Sequence, residues 1–289
     1  MTVVIFFMMV LLTAFAKKTA HTTASSSNWS LVFSDDFNGN HIDTTKWNIW
    51  NTCVDIYSNQ KQCYSNSPSV IYVQNGSLII KPKYQTTCIG GSCKNVVSGQ
   101  LDSMNNFEFN RGRYEARIKL PIGKTMWPSF WLLMDENVPG VVNPYAEVDI
   151  MESYGGQMNY MSSTIWSNNG LANSAINPVA EYSETSSNAW NTSFNIFALE
   201  WNCTALTIFY NNRMVLSMNI SSAPNMLNNQ SAFTPGGFSK FYMLLTVAIG
   251  GDMFAPNNPT LKQIRSDSTS WTPMYVDYVR VYNDTSSIC

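Results

Sequence analysis

The amino-acid sequence predicts an all-β fold in which two β-sheets pack as a sandwich or close into a barrel. The first observation is a series of short β-prone runs, separated by turn residues, along a chain of 289 residues. The second is a strict alternation over residues 113–120, where apolar side chains at 114, 116, 118 and 120 alternate with charged ones. The third is that no long stretch has the spacing of an amphipathic helix. Since no linker interrupts the chain after residue 27, we expect a single domain.

The predicted strands follow in chain order from composition and from the turns between them. An opening strand at 30–33 leads into an acidic turn at 35–39. Two short runs at 70–73 and 77–81 flank Gln74-Asn75-Gly76, which is a strong hairpin signal, and residues 82–97 are predicted to be a loop. Further strands are predicted at 113–120, 129–134, 160–166, 194–201, 206–210, 214–218, 241–249 and 274–282. The last two are apolar on both faces, as expected of central strands in a two-sheet stack.

Residues 147–152 place three carboxylates in the spacing Glu-x-Asp-x-x-Glu. The residues between them are apolar and β-prone, so the acids are predicted to lie on a strand inside a packed sheet. Because strand side chains alternate between faces, Glu147 and Asp149 share one face and Glu152 would point away. One extra residue, a β-bulge at Ile150-Met151, would return Glu152 to the face of the other two acids.

Three carboxylates on one face repel one another and are costly to bury, so chains that keep them usually use them. Two chemistries need such a cluster, the binding of a divalent metal and the cleavage of a glycosidic bond. With the bulge, Glu147 and Glu152 can lean toward each other over Asp149, to the roughly 5–5.5 Å carboxyl separation of a retaining glycosidase. The alternative is a half-exposed acidic strand balanced by nearby arginines.

The composition limits the classes of partner. Charged residues make up only 12% of the chain and the net charge is −2, so no basic patch supports nucleic-acid binding. Low charge together with many Asn, Ser, Thr, Tyr and Trp residues suits a neutral polar ligand such as a sugar. A zinc site is not expected, because no Cys-x-x-Cys spacing occurs and the two histidines are His21 and His41.

The N-terminal residues 1–16 are predicted to be a secretory signal peptide. The apolar run from Val3 is short for a bilayer span and ends in Ala14-Phe15-Ala16, which resembles a cleavage site. An uncleaved membrane anchor is the alternative, since no Lys or Arg precedes the run while Lys17-Lys18 follow it. Residues 17–29 are then expected to be a flexible Ser/Thr-rich leader, and residues 30–284 the single folded domain that carries the acids.

Sequons and cysteines agree with export of a glycoprotein. Asn-x-Ser/Thr sequons begin at Asn28, Asn75, Asn191, Asn202, Asn219, Asn229 and Asn283. Six cysteines in a secreted chain imply disulfides, although they allow fifteen connectivities. The preferred pairs are Cys53–Cys63, Cys88–Cys93 and Cys203–Cys289, the first two as local loop staples.

The acid motif is one of several segments that occur in a characteristic order. Ser98-Gly99-Gln100-Leu101, the Arg111–Pro121 strand and Trp127-Pro128-Ser129-Phe130-Trp131 precede the acids. Phe197–Trp201, Val247–Gly251 and Met274–Tyr282 follow them. From about residue 31 to 282 this order resembles glycoside hydrolase family 16, and within it the laminarinase-like endo-β-1,3-glucanases. The resemblance implies a curved, concanavalin A-like β-jelly roll with an open concave cleft.

The resemblance also implies roles for individual residues. It makes Glu147 the nucleophile, Glu152 the acid/base and Asp149 their assistant. The candidate substrate-binding residues are Trp127, Trp131, Trp166, Arg113 and Asn105, with Trp166 standing where many laminarinases have a histidine. Core packing is the alternative for the two tryptophans at 127 and 131, and pairing with a glutamate is the alternative for Arg113. We expect that no cofactor is required. Asp36 and Asp277 match the residues that hold a structural calcium in some family members. The alternative is that both are ordinary solvated acids.

The function expected from this resemblance is a secreted, retaining endo-β-1,3-glucanase acting on β-glucan, with a lysosomal or vacuolar location as a variant. Alternatives are a hydrolase or transglycosylase of mixed-linkage glucan or galactan, and a non-catalytic glucan-recognition protein. Sulfated galactans are disfavoured, because an anionic polymer calls for more Lys and Arg than the 17 present. We expect a monomer without nucleic-acid partners or stable membrane association.

Overall fold

The computed structural model describes residues 29–53, 58–154, 159–172, 174–186 and 190–285. The predicted signal peptide and nearly all of the predicted leader lie outside the described residues. The strands of the described residues are β1 (Trp29–Asp35), β2 (Asn48–Ile49), β3 (Gln62–Tyr64), β4 (Ile71–Gln74), β5 (Ser77–Ile80), β6 (Thr87–Ile89), β7 (Ser92–Lys94), β8 (Val96–Ser98), β9 (Gln100–Asp102), β10 (Gly112–Lys119), β11 (Met126–Met134), β12 (Ala146–Glu152), β13 (Tyr160–Ser167), β14 (Asn177–Thr185), β15 (Asn195–Trp201), β16 (Ala205–Tyr210), β17 (Arg213–Asn219), β18 (Asn225–Leu227), β19 (Gln230–Ser231), β20 (Phe241–Ile249) and β21 (Met274–Asp284).

Two large antiparallel sheets carry most of these strands, which confirms the predicted all-β jelly-roll sandwich. The eight-stranded sheet has the order β17-β16-β15-β10-β21-β5-β4, and β1 also pairs with β21. The seven-stranded sheet has the order β14-β13-β12-β11-β20-β9-β2. The acid-bearing strand β12 therefore lies inside the seven-stranded sheet, between β11 and β13.

The hydrophobic core fills the space between the two sheets, and the alternation of the sequence shows how it is built. Tyr114, Ala116 and Ile118 on β10 are fully buried there, whereas the charged residues between them stay partly exposed. On the opposite sheet, Val148 and Ile150 of β12 belong to the same buried cluster. Removing these apolar surfaces from water drives the two sheets together. The side chains that alternate with Val148 on β12 are thereby turned to the outer face of the seven-stranded sheet.

The hairpin predicted at residues 74–76 is confirmed between β4 and β5. Asn75 and Gly76 have φ angles of 52° and 71°, so both central residues of the turn are left-handed. Such a turn matches the twist of the two strands that it joins, and Asn-Gly is the pair that adopts it most readily.

Residues 82–97 were predicted to form a loop, and this prediction is wrong. The segment contains the hairpin β6–β7 and strand β8, with Gly90 and Gly91 in the turn at φ angles of 61° and 82°. Cys88 and Cys93 lie directly opposite each other in the hairpin and form a disulfide. The two hairpin strands were missed because each is only three residues long and has no buried residue, which leaves no alternation to detect; β8 is buried but equally short.

The predicted pairs Cys53–Cys63 and Cys88–Cys93 are both present. The third predicted pair contains Cys289, which lies outside the described residues.

Helical structure in the described residues is limited to α1 (Leu261–Asp267) and short 3-10 turns at Ile220–Ser222, Asp252–Phe254 and Ser268–Ser270. Helix α1 begins with a capping box in which Thr260 and Gln263 exchange side-chain and backbone hydrogen bonds. Within the described ranges, no helix is both long enough and apolar enough to cross a membrane.

Candidate active site

The predicted β-bulge is present in β12 and sets the direction of the last acid. Asp149 pairs with Trp131 on β11, and Glu152 pairs with Ser129 on the same strand. Three residue steps on β12 are thus matched by two steps on β11, so β12 carries one extra residue at Ile150-Met151. The same shift occurs against β13. A bulge of this kind turns Glu152 back to the strand face that carries Glu147 and Asp149, which strict alternation would not do.

As a result, Glu147, Asp149 and Glu152 all line one cleft on the outer face of the seven-stranded sheet. The cleft encloses about 250 Å³. Its other described lining residues are Ser58, Gln60, Gln100, Trp127, Ser129, Trp131, Tyr145, Trp166, Ile176, Thr246, Ala248 and Met253. Aromatic and small polar side chains dominate this set, and none of them is Lys, Arg or His.

Each of the three carboxyl groups accepts a hydrogen bond from an aromatic side chain. The pairs are Glu147 with the hydroxyl of Tyr145, Asp149 with Nε1 of Trp166 at 2.8 Å, and Glu152 with Nε1 of Trp127 at 2.7 Å. All three donors are neutral at physiological pH, so they orient the acids without adding positive charge.

Burial without a compensating cation raises the pKa of every acid in the cleft. The pKa of Glu152 rises to about 7, because burial penalises its charged form and Glu147 adds repulsion, while the hydrogen bond from Trp127 opposes the shift. The pKa of Asp149 rises well above its usual range, through burial first and then through the charges of Glu147 and Glu152. Burial also raises the pKa of Glu147, but hydrogen bonds from Tyr145 and Asp149 hold that increase back.

These differences separate the two glutamates chemically. Glu152 keeps a proton up to about pH 7, which suits a general acid. Glu147 accepts two hydrogen bonds that favour its ionised form, which suits a nucleophile.

Trp127 and Trp131, two of the predicted substrate-binding residues, both line the cleft. They lie on β11, next to the acid strand, with one intervening residue of the same face at Ser129. Trp131 is nearly buried and packs on this outer face with Leu133, Tyr242 and Leu244. Its indole Nε1 donates to Oγ1 of Thr246 at 3.0 Å.

Beneath Trp131, polar side chains form a short hydrogen-bond chain in the floor of the cleft. Thr246 donates from Oγ1 to Oε1 of Gln100 at 3.0 Å. Gln100, Thr246, Ser129 and Glu152 occupy one row across four neighbouring strands, which explains why residues far apart in sequence meet here. These hydrogen bonds tie Trp131 to the neighbouring strands β20 and β9.

Arg113 was predicted as a substrate-binding residue, and the structure does not bring it to the cleft. It lies on β10 in the eight-stranded sheet, on the side of the sandwich opposite to the acids. There it forms ion pairs of 2.7 Å with Glu115 and 2.6 Å with Glu200. The ion pairs agree with the alternative prediction that Arg113 pairs with a glutamate. The sequence could not decide this, because the alternation of β10 identifies the two faces of the strand but not the sheet to which the strand belongs.

Asn105, the weaker binding candidate, is also not among the cleft-lining residues. It lies in the turn after β9 with a φ of 61°, and its backbone N–H donates to Oε1 of Glu108 at 2.9 Å. Its position is explained by the turn conformation, which Asn adopts more readily than most residues.

Asp36 and Asp277, the expected calcium ligands, are each paired with an arginine instead. Asp36 lies 2.8 Å from Arg280, and Asp277 lies 2.8 Å from Arg117. The described residues contain no group of three His, Cys, Asp or Glu side chains placed to hold a metal. Since each carboxylate already neutralises a guanidinium, these side chains do not fit a calcium site.

Sequence reasoning missed Tyr145 as a cleft residue, although a signal was present. Tyr145 precedes Glu147 by two residues and therefore shares its face, which the period of a strand predicts. It likewise missed Gln100 and Ser129, which carry no local signal because cross-strand register alone brings them to the acids.

Known proteins resemble this chain in sequence and in fold. A family model described as the GH16 domain of β-porphyranases A–D matches residues 28–284. The glucan endo-1,3-beta-glucosidase A1 of Niallia circulans is 25% identical over 91% of this chain, which spans 39% of that protein. The beta-1,3-glucan-binding protein of Penaeus monodon is 24% identical over 89% of the chain, which spans 91% of that protein.

Among solved structures, the crystal structure of LamAcat from Zobellia galactanivorans superposes with a TM-score of 0.70 at 25% identity. The alignment covers 88% of this chain and 98% of that one.

Proposed function

The chain belongs to glycoside hydrolase family 16, and from this membership we propose that it is a retaining endo-hydrolase of β-1,3-linked glucan. One observation carries the proposal. The bulge in β12 turns two glutamates with different hydrogen-bond partners toward one cleft, with Asp149 between them. That is the arrangement that a double-displacement glycosidase needs.

In the first proposed step, a carboxylate oxygen of Glu147 attacks the anomeric carbon of the sugar above it. The bond from that carbon to the linking oxygen breaks, and the proton held by Glu152 passes to the leaving oxygen. The result is a glycosyl ester on Glu147 and an ionised Glu152. Burial and the neighbouring Glu147 favour the protonated form of Glu152 that this step requires.

In the second proposed step, Glu152 accepts a proton from a water molecule, whose oxygen attacks the same anomeric carbon. The ester bond to Glu147 breaks, Glu147 returns to its ionised form and Glu152 is again protonated. Two successive inversions leave the anomeric configuration of the product unchanged.

A neutral glucan is supported by the walls of the cleft. Its described lining residues offer indole and phenol rings for the apolar faces of sugar rings, and amides and hydroxyls for their hydroxyl groups. They offer no Lys or Arg for a sulfate or carboxylate substituent. The name of the Niallia circulans relative agrees with a β-1,3-glucan substrate.

The second candidate is a galactan, and the description of the matching family model favours it. A sulfated galactan would bring negative charge into the cleft. The uncharged, aromatic lining of the cleft argues against sulfate on the sugars that contact the acids.

A non-catalytic recognition protein is the third candidate, since one relative is described as a beta-1,3-glucan-binding protein. A binding surface gains nothing from three mutually repelling buried acids, which are costly to hold in place. Their presence together in one cleft supports catalysis over recognition.

Product analysis on laminarin, lichenan, agarose and porphyran in parallel tests the proposal. We expect oligosaccharides from laminarin, with the β-anomer appearing first in a proton NMR time course. Glu147→Gln and Glu152→Gln are the matched controls and are expected to release no product from laminarin. Binding to laminarin without any product would overturn the enzyme proposal, and faster release from agarose or porphyran would replace glucan with galactan.

We also propose that the protein is exported. Two disulfides in the described residues support an oxidising compartment. N-terminal sequencing of protein recovered from the medium of a eukaryotic host is expected to begin after Ala16, whereas retention of residues 1–16 in a membrane fraction would favour an anchor.

A further inference from the structure

Trp166 is placed to act on the acid between the two glutamates. It lies on β13, directly opposite Glu147 on β12. Its indole does not hydrogen-bond to that neighbour but reaches diagonally to Asp149, where Nε1 donates to Oδ2 at 2.8 Å. Because Asp149 is almost fully buried, the direction of this bond largely decides how its carboxyl group is oriented.

The contact is part of a continuous hydrogen-bond chain. Trp166 donates to Asp149, and Tyr145 donates to Glu147. Between the two acids, a side-chain hydrogen bond lowers the pKa of Glu147 and raises the pKa of Asp149. Two carboxyl groups can share a hydrogen bond only when one of them carries a proton. A buried pair without a cation is therefore expected to hold one proton between them.

Among the described residues that face Asp149, none carries a positive charge that would neutralise a second negative charge. The residues facing it are Trp131 from β11, Thr164 and Trp166 from β13, Glu147 and Glu152 from β12, and, one strand farther, Glu181 from β14. All of the titratable groups in this set are acids. The proton of the pair must then lie on Asp149 if Glu147 is to be ionised.

We propose that Trp166 is a positioning residue: its indole N–H holds the carboxyl group of Asp149 against Glu147, so that Asp149 donates the hydrogen bond that keeps Glu147 ionised for attack. The expected effect of Trp166 on kcat rests on the proposed function, whereas the hydrogen bonds that join Trp166, Asp149 and Glu147 do not. The indole suits this role because it donates over the whole pH range and never titrates, whereas a histidine at this position would lose or gain a proton near pH 6.5.

The simpler interpretation is that Trp166 only provides a wall for the sugar, since its ring lines the cleft. The two interpretations differ for Trp166→Phe, which keeps an aromatic ring and removes the N–H donor. A wall residue would tolerate this change, apart from a modest change in KM. A positioning residue would lose kcat, because Asp149 is then free to turn away from Glu147.

The hydrogen-bond chain can be tested without any assay of activity. In a ¹H–¹⁵N NMR titration of the intact protein from pH 4 to 9, the indole signal that disappears in Trp166→Phe is expected to shift as the acids ionise. The signal of Trp271 is the matched comparison, because its Nε1 donates to Asp267 at 2.9 Å at a site that contains one acid rather than three. An invariant Trp166 signal would overturn the proposal, whether or not the protein hydrolyses glucan.

The kinetic test uses Trp166→Phe, Trp166→His and Trp271→Phe. We expect Trp166→Phe to lower kcat by about tenfold to a hundredfold, the range for losing a hydrogen bond to an ionisable group, with a smaller change in KM. The acid limb of its kcat/KM profile is expected to move to higher pH, because Glu147 loses the bond that favours its ionised form. Trp166→His is expected to recover part of kcat, because imidazole keeps an N–H donor in both of its protonation states, and to add a pH dependence that the indole lacks.

Trp271→Phe controls for loss of an indole–carboxylate bond elsewhere and is expected to keep the wild-type pH profile. If Trp166→Phe retains wild-type kcat and pH profile, the positioning role is wrong. If the wild-type protein releases no product from any of the four polysaccharides, the proposed function is wrong, and the NMR titration still decides the role of Trp166.

Discussion

Nε1 of Trp127 donates a hydrogen bond of 2.7 Å to Oε1 of Glu152 from the neighbouring strand. The two residues are not direct cross-strand partners, since Glu152 pairs with Ser129, two residues further along β11. The bond is therefore diagonal and depends on the bulge that turns Glu152 to this face. With Oε1 engaged by the indole, Oε2 is the oxygen left to carry the catalytic proton.

Trp127→Phe is expected to raise the pKa of Glu152 above its value of about 7. Burial raises this pKa and the indole hydrogen bond opposes it, so removing the donor leaves the burial effect unopposed. The basic limb of the kcat/KM profile, which reports loss of the acid, is expected to move to higher pH. A limb that stays in place or moves to lower pH would contradict this assignment.

Glu152→Gln is expected to stabilise the fold above pH 7 while abolishing hydrolysis. The unfolded chain releases this proton near pH 4.5, and the folded protein holds it to about pH 7, so stability falls as the pH rises through that window. Gln removes the buried charge and keeps the shape, for an expected gain on the order of 3 kcal/mol at pH 8. Urea unfolding of both proteins at pH 4 and pH 8 measures it, and equal differences at the two pH values would refute the prediction.

Thr246→Val is expected to weaken both the fold and substrate binding. The hydroxyl of Thr246 accepts from Trp131 and donates to Gln100, so Val leaves polar atoms of the cleft floor with fewer partners. The expected loss is about 1–3 kcal/mol in unfolding free energy, with a several-fold rise in KM as Trp131 loosens. Thr246→Ser keeps the hydroxyl and is the matched control. Equal behaviour of the two variants would show that the hydroxyl is unimportant.

Arg113→Ala is expected to destabilise the protein without changing its kinetics. The change leaves Glu115 and Glu200 without the guanidinium that both contact, on the side of the sandwich away from the acids. We expect a loss of about 1–3 kcal/mol in chemical denaturation, since the pairs are partly shielded from water. A raised KM for laminarin would instead return Arg113 to the substrate-binding residues.

The double variant Cys53→Ser, Cys63→Ser is expected to raise KM, because this disulfide closes the segment that carries the cleft residues Ser58 and Gln60. Loss of a loop closure of this length costs about 2–3 kcal/mol in stability. The matched variant Cys88→Ser, Cys93→Ser opens the hairpin β6–β7, whose residues do not line the cleft. It is expected to lose stability while retaining KM, and a similar KM in both variants would rule out a role for the first disulfide in the cleft.

The sequence alone determined the acid strand and its bulge. Strand side chains repeat every two residues, so the count of residues between Asp149 and Glu152 predicted one extra residue if the three acids were to share a face. The alternation over residues 113–120 likewise identified which side chains of β10 enter the core. Both are local properties, set by neighbours along the chain.

Only the tertiary structure decided which residues surround the acids. Alternation divides a strand into two faces but does not assign the strand to a sheet, so it left Arg113 as a binding candidate when its strand lies in the opposite sheet. The donors Trp127 and Trp166 reach their acids across strand boundaries, at offsets set by register and by the bulge. Register depends on packing between segments that are distant in sequence, and for that reason the environment of Glu152 and Asp149 could not be derived from the motif that contains them.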